Sequence, residues 1–305
     1  MLAERIQNTL RFFDLQSLPL TAYEIHQYLV ADVTAIKNKI DERFELKPEI
    51  SAPTAPVHFD TILTQLYILS REGKIISKNG FYALVGKEDL IAQRQKNYLF
   101  GLRREKLIKH YLVPTKHIPF VRGIALAGSQ ALGQQRSTSD IDLLIITDTK
   151  YMWTARTLLS AWFHVFGVRR HGKKISNRFC LNHYLANARE VDAERNLYKA
   201  MEYTKLRSVV YPQGIRQFQQ ANEHWIRQFF PNVEFDDIYP VKQSLVQMYL
   251  EKLFTNRLGL WFEARLKAWQ QKRIQQDQFV FVREDELSFH PESKHETLLQ
   301  GFFHK

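Results

Sequence analysis

Two short segments hold the residues whose types and spacing suit chemistry on phosphates. Arg122 to Ser129 reads Arg-Gly-Ile-Ala-Leu-Ala-Gly-Ser, a short apolar strand ending in Gly128-Ser129, and Gln130-Ala131-Leu132 can begin a helix at once. A strand turning tightly into a helix N-terminus aims free backbone N–H groups at one point, which makes an anion site. The absent side chain of Gly128 lets a phosphate approach, and Ser129 adds a hydroxyl donor. After a gap of ten residues, Asp140-Ile141-Asp142-Leu143-Leu144-Ile145-Ile146 reads as a buried strand opened by two carboxylates. Side chains alternate along a strand, so Asp140 and Asp142 project from one face, about 7 Å apart at a rise near ~3.3 Å per residue. Such carboxylates repel each other unless a cation sits between them. Hard oxygen ligands of this kind suit Mg2+ or Mn2+.

Gly128-Ser129, the ten-residue gap and Asp140-Ile141-Asp142-Leu143 together resemble the signature of the polymerase-beta-like nucleotidyltransferases. That superfamily includes poly(A) polymerases, CCA-adding enzymes, antibiotic-modifying adenylyltransferases and small prokaryotic nucleotidyltransferase proteins. The resemblance covers roughly residues 121 to 185. Asn196-Leu197-Tyr198-Lys199-Ala200, with Asn222, Trp225 and Ile226, is also similar to uncharacterised bacterial proteins of this superfamily. The resemblance implies that Gly128 and Ser129 hold the triphosphate of an NTP. It implies that Asp140 and Asp142 ligate two Mg2+ ions, which stabilise charge at the attacked and leaving oxygens. It further implies a third carboxylate, on a later strand, that helps to activate the acceptor hydroxyl.

The strand expected to carry that third group, Asn177 to Leu185, has no acid. Asn182 is one occupant of the position, as a neutral ligand. Glu190 or Asp192 can reach in from the following loop, and His183 can serve as base; read by itself, His183 is a packed or exposed strand histidine. Cys180, in the apolar run Phe179-Cys180-Leu181, reads as a small buried hydrophobe rather than a nucleophile. A basic turn of Arg169, Arg170, His171, Lys173 and Lys174 precedes the strand. It either neutralises phosphates or is a solvated loop. Two functions follow. One is a nucleotidyltransferase moving a nucleoside monophosphate to a hydroxyl of an acceptor. The other is a catalytically degenerate nucleotidyltransferase fold acting as a nucleotide-sensing, DNA-binding regulator.

Several elements must position these residues. The 305 residues suffice for two or three domains, and 45% hydrophobic with 25% charged residues is ordinary for a globular chain. The net charge of +11 biases the surface toward nucleotides, nucleic acid or acidic headgroups. A single cysteine excludes an internal disulfide framework. No apolar stretch of about 18 residues exists, and the N-terminus has no signal-peptide pattern, so the expectation is a cytoplasmic protein without a membrane span.

The expected fold class is α+β, with a mixed sheet and flanking helices at residues 121–195. Residues 1–92 resemble a winged helix-turn-helix. A first helix runs from Leu2 to Phe13, and the capping box Thr21-Ala22-Tyr23-Glu24 opens a second, carrying Ile25, Tyr28 and Leu29. Pro48, Pro53 and Pro56 interrupt regular structure. A third helix spans His58 to Arg71, with Phe59, Ile62, Leu63, Leu66 and Leu69 at helical spacing. Asn79-Gly80 then marks a hairpin. If the module binds DNA, Thr61, Thr64, Gln65 and Arg71 are its reading face and Lys74 and Lys78 its wing; otherwise it is a brace or a protein contact. Residues 93–120 read as a basic connecting helix bearing Arg94, Lys96, Arg103, Arg104, Lys106 and Lys109 against the single acid Glu105. Residues 196–305 read as helical over 196–209, 216–229 and 242 to about Gln276. All five tryptophans, Trp153, Trp162, Trp225, Trp261 and Trp269, lie in helical patterns of the chain, as expected of core residues.

Overall fold

The computed structural model describes residues 1–47, 54–172, 174–192, 194–274, 281–289 and 293–304. Pro48, Pro53, Lys173 and Gln276 lie outside the described residues. Helix α1 (Leu2–Asp14), strand β1 (Leu20–Thr21) and helix α2 (Ala22–Gln27) open the chain. Thr21 and Glu24 form the expected reciprocal cap. The Glu24 N–H donates to Thr21 Oγ1 at 3.2 Å, and the Thr21 N–H donates to Glu24 Oε2 at 3.0 Å. Helix α2 stops one residue short of Tyr28, which is its C-cap.

Helix α3 (Val33–Lys39) is absent from the sequence reading; Asp32 starts it by accepting from the Ala35 N–H at 2.9 Å. Helix α4 (Phe59–Arg71) leads into β2 (Ile75–Lys78) and β3 (Phe81–Leu84). Asn79 and Gly80 turn the hairpin at φ 52° and 77°. A two-residue turn of this hand needs positive φ at both positions, which Asn and Gly tolerate best. The three strands pair in the order β1-β3-β2. Ile62, Leu66 and Leu69 of α4 are buried, but Phe59 and Leu63 are 36% and 38% exposed, so the buried stripe is narrower than the apolar spacing suggests.

Helix α5 (Asp89–Leu112) and a 3-10 turn (Val113–His117) carry the chain to β4 (Val121–Leu126). Then follow α6 (Gly128–Ala131), β5 (Ile141–Thr147), α7 (Met152–Val165), β6 (Phe179–Ala186), α8 (Leu197–Thr204) and β7 (Arg207–Val210). Helices α9 (Pro212–Phe229), α10 (Leu245–Phe254) and α11 (Arg257–Ile274) come next, and β8 (Phe281–Val282), β9 (Glu286–Ser288) and α12 (Ser293–Phe303) complete the described chain.

Strands β7-β4-β5-β6-β9-β8 form one mixed sheet, with β5 and β6 parallel and joined through α7. The expected helix over 196–209 therefore splits. Arg207-Ser208-Val209-Val210 pairs antiparallel with β4, because a run containing adjacent valines fits a half-buried sheet edge. Residues 242–274 form two helices, not one. The break is at Thr255 and Asn256, where Asn256 Oδ1 accepts from the Gly259 N–H at 2.9 Å.

Alternation along β5 divides the interior in two. Leu144 and Ile146 join α1, α2, α8 and α9 in one core, while Leu143 and Ile145 join α5 and α7 in another. The N-terminal helices thus share a continuous core with one face of the sheet. A partly buried charge cluster clamps them there: Glu24 pairs with Arg94 at 2.7 Å and with Lys205 at 3.2 Å. Trp153 and Trp225 are buried, but Trp261 and Trp269 of α11 are about half exposed, unlike the core residues expected. No described helix is long and apolar enough to cross a membrane.

Candidate functional site

Asp142 points from β5 to the face shared with Leu144 and Ile146. Asp140 comes one residue before the strand, which starts at Ile141 rather than at the first carboxylate. The loop of residues 132–140 is held from below. Arg104 of α5, buried, donates from Nη2 to Arg136 O at 2.9 Å and to Ser139 O at 2.8 Å. Gln135 Nε2 donates to Gln130 O at 2.7 Å. Of the basic residues on this helix, Arg104 is a brace for Asp140, whereas Arg103, Lys106 and Lys109 face solvent.

Gly128 opens a single-turn helix at φ +55°, a conformation side chains disfavour. A Cβ there would stand 2.6 Å from Asp142 Oδ2. Backbone contact fixes the approach, since the Ala127 N–H donates to Asp142 O at 2.9 Å. The glycine therefore brings the turn, with Ser129 next to it, directly against a carboxylate.

Strand β6 supplies the third side. Its parallel register places Cys180 opposite Asp142, and a bulge follows, with Leu144 opposite His183. Alternation keeps Asn182 on the same side as Cys180, and the one extra residue on β6 turns His183 to that side as well. The Cys180 thiol donates to Asn182 Oδ1, and Asn182 Nδ2 donates to Asp142 Oδ1. One ligand atom each from Asp140, Asp142 and Cys180 lies within 4.8 Å of the others. Arg170 reaches in from the basic turn, with Nη1 2.6 Å from Asp140 Oδ2 and 3.3 Å from Cys180 Sγ.

Charge is crowded here. Burial first, and then the Asp140 carboxylate, push the Asp142 carboxyl up to about 7, against the opposing effect of the Asn182 amide. Burial and then Asp142 push the Cys180 thiol up to about 12. A desolvated acid beside a second carboxylate is a site that gains from a cation.

Residues 113–206 match the nucleotidyltransferase domain family model. No curated protein and no solved structure matches the chain. The matched segment runs from the 3-10 turn through α8 and contains Gly128, Ser129, Asp140, Asp142, Cys180 and Asn182.

The other expected contributors lie elsewhere. Glu190 pairs with Arg195 at 2.6 Å and His224 at 3.2 Å. Asp192 pairs with Arg189 at 3.1 Å and approaches Arg283 at 3.9 Å. His183 turns its Nε2 to Glu286 Oε1 at 2.9 Å inside the core, so it braces β6 against β9. Cys180 was missed as a member of the group. The signal was its place two residues before Asn182 on a strand parallel to β5, since period two puts both on one face. In the N-terminal segment Thr61, Thr64, Arg71, Lys74 and Lys78 are exposed and Gln65 is partly so. Thr64 Oγ1 donates to Asp60 O at 2.9 Å, and Lys74 pairs with Glu72 at 2.8 Å.

Proposed function

We propose that this protein transfers a nucleoside monophosphate from an NTP to a hydroxyl of an acceptor, using Mg2+ or Mn2+ at Asp140 and Asp142. The observation that carries the proposal is the group of Asp140, Asp142 and Cys180 within 4.8 Å, placed against Gly128 inside a nucleotidyltransferase domain. The donor set fits a divalent cation: two mostly buried carboxylates repel, and among the described residues only one cationic side chain, Arg170, meets Asp140. When bound, the metal ions stabilise charge at the attacked and leaving oxygens. Asp140 and Asp142 would hold them, and Asn182 would orient Asp142 through its hydrogen bond. Gly128 and Ser129 would take the triphosphate, the glycine by leaving room and the serine by donating a hydrogen bond. Arg170 is placed to neutralise charge that develops beside Asp140.

In this reading Cys180 and Asn182 stand where a third carboxylate would activate the acceptor. Proton removal from the acceptor then depends on a metal-bound hydroxyl alone, which slows chemistry without abolishing it: a positioned base typically contributes about 10²–10⁴-fold. The test is incubation with each labelled NTP, Mg2+ or Mn2+, and cell extract. A labelled product that disappears with Asp140→Asn supports the reading; no product with any NTP refutes it.

A second reading rests on the same neighbours. Arg170 and Asn182 already satisfy Asp140 and Asp142, as expected of a degenerate nucleotide-sensing site. The helix order and the Asn79-Gly80 hairpin suit a winged helix that binds DNA through Thr61, Thr64, Gln65, Arg71, Lys74 and Lys78. The exposed Phe59, Leu63, Tyr67 and Ile68 on α4 suit a protein contact instead. Fluorescence anisotropy with duplex DNA at low salt separates the two: binding should fall steeply with salt and weaken with Lys74→Glu plus Lys78→Glu.

A further inference from the structure

On the face of the sheet away from Asp142, helices α7 and α11 enclose a cavity of 530 Å3. Small-molecule sites are commonly about 300–1,000 Å3. Three arginines line it: Arg156 from α7, Arg169 from the turn before β6, and Arg273 from α11. Arg156 is the deepest. Its guanidinium lies 5.8 Å from the Tyr184 ring centroid and 5.1 Å from that of Phe289. It donates from Nη1 to Gln270 Oε1, but its buried Nε has no hydrogen-bond partner among the described residues. Burial most of all, and more weakly the like charges of Arg169 and Arg273, disfavour its charged form, against the opposing effect of Tyr184.

Elsewhere arginines of this chain meet acids: Arg94 meets Glu24, Arg122 meets Glu251 and Arg170 meets Asp140. The three in the cavity make no ion pair with any described residue, and no described carboxylate lines it. Mutual repulsion of three guanidiniums around one space is relieved by a multiply charged anion. Their planar forks suit the oxygens of a phosphate, to which each can donate two hydrogen bonds. Thr157 and Ser160 add hydroxyls, and Trp269, with Arg273 stacked 5.1 Å over its ring, gives an apolar wall for an attached group.

We propose that this cavity binds a small phosphate-bearing molecule through Arg156, Arg169 and Arg273, separately from the Asp140–Asp142 site. The two sites are adjacent in chain although they lie on opposite faces of the sheet: Arg169 lines the cavity and the next residue, Arg170, meets Asp140.

The test is calorimetric titration of the full chain with inorganic pyrophosphate in excess EDTA, which leaves the carboxylate pair without its cation. AMP forms a second arm and citrate, an anion without phosphorus, a third. Saturable pyrophosphate binding near one per chain is expected. Arg169→Gln and Arg273→Gln should each weaken it about tenfold or more, the loss of one charge-assisted hydrogen bond, while Asp140→Asn leaves it unchanged. Tighter binding of AMP than of pyrophosphate would identify an organic phosphate as the ligand. Arg273 is exposed, so its variant should fold, and Trp269→Phe should remove the fluorescence change that accompanies binding. Absence of saturable binding, equal affinity in the Arg169→Gln, Arg273→Gln double variant, or citrate binding as tightly as pyrophosphate would each overturn the proposal.

Discussion

Asp142→Asn should change stability in opposite directions with and without metal. In the unfolded chain the carboxyl ionises near its ordinary 3.8; in the folded protein, burial and Asp140 hold its proton up to about 7. The folded state therefore binds the extra proton between these values. Stability is fully present below about 3.8, falls as pH rises, and levels off above about 7. At about 1.4 kcal/mol per pH unit, the penalty without metal grows by up to about 3 kcal/mol between pH 5 and pH 8. Adjustment of Asn182 and Arg170 around the ionised group leaves a difference of about 1.5–3 kcal/mol between the two conditions. Asparagine has no such titration. Urea unfolding in EDTA should thus show Asp142→Asn gaining that amount on wild type between pH 5 and pH 8. Adding Mg2+ or Mn2+ at pH 8 should then stabilise wild type and not the variant, because a ligand bound only by the folded state stabilises by mass action. A wild-type-minus-variant difference that stays constant across this range would refute the argument, as would equal metal stabilisation of both proteins.

Gly128→Ala should cost about 1–2 kcal/mol from the left-handed backbone alone, and its Cβ, built 2.6 Å from Asp142 Oδ2, should abolish metal-dependent thermal stabilisation. An unchanged metal shift would show that the glycine is not needed at that contact. Cys180→Asp should install the absent acid opposite Asp142 and increase nucleotidyl transfer, whereas Glu190→Gln and Asp192→Asn should leave the rate unchanged; activity assays on the three variants decide this. Glu24 behaves oppositely to Asp142. Burial opposes its ionisation, but Lys205 and Arg94 hold it down to about 2. Its contribution is present above the ordinary 4.5 and lost as pH falls through about 2, amounting to about 3 kcal/mol. Glu24→Gln should therefore flatten the acid limb of the stability curve and, by leaving Arg94 and Lys205 unpaired, lower neutral stability by about 3–5 kcal/mol.

Sequence alone was sufficient wherever a feature depends on neighbours in the chain. The Thr21-Glu24 cap, the Asn79-Gly80 turn, the strand-to-helix turn at Gly128 and the short spacing of Asp140 and Asp142 all follow from local geometry. The mixed sheet followed from the alternation of strand and helix patterns. Tertiary structure decided what depends on pairing between distant segments. The parallel register of β6 on β5, with its bulge, brings Cys180 and Asn182 to Asp142, and no period within Asn177–Leu185 specifies that register. The pairing of Arg207–Val210 with β4 turned an expected helix into a strand, because hydrogen bonds from a waiting sheet edge outweigh weak helical propensity. Arg94 and Arg104 read in the sequence only as members of a basic helix. Only the packing of α5 against Glu24 and the 132–140 loop makes one a clamp and the other a brace, since charge type carries no information about which carboxylate or carbonyl a long side chain will meet.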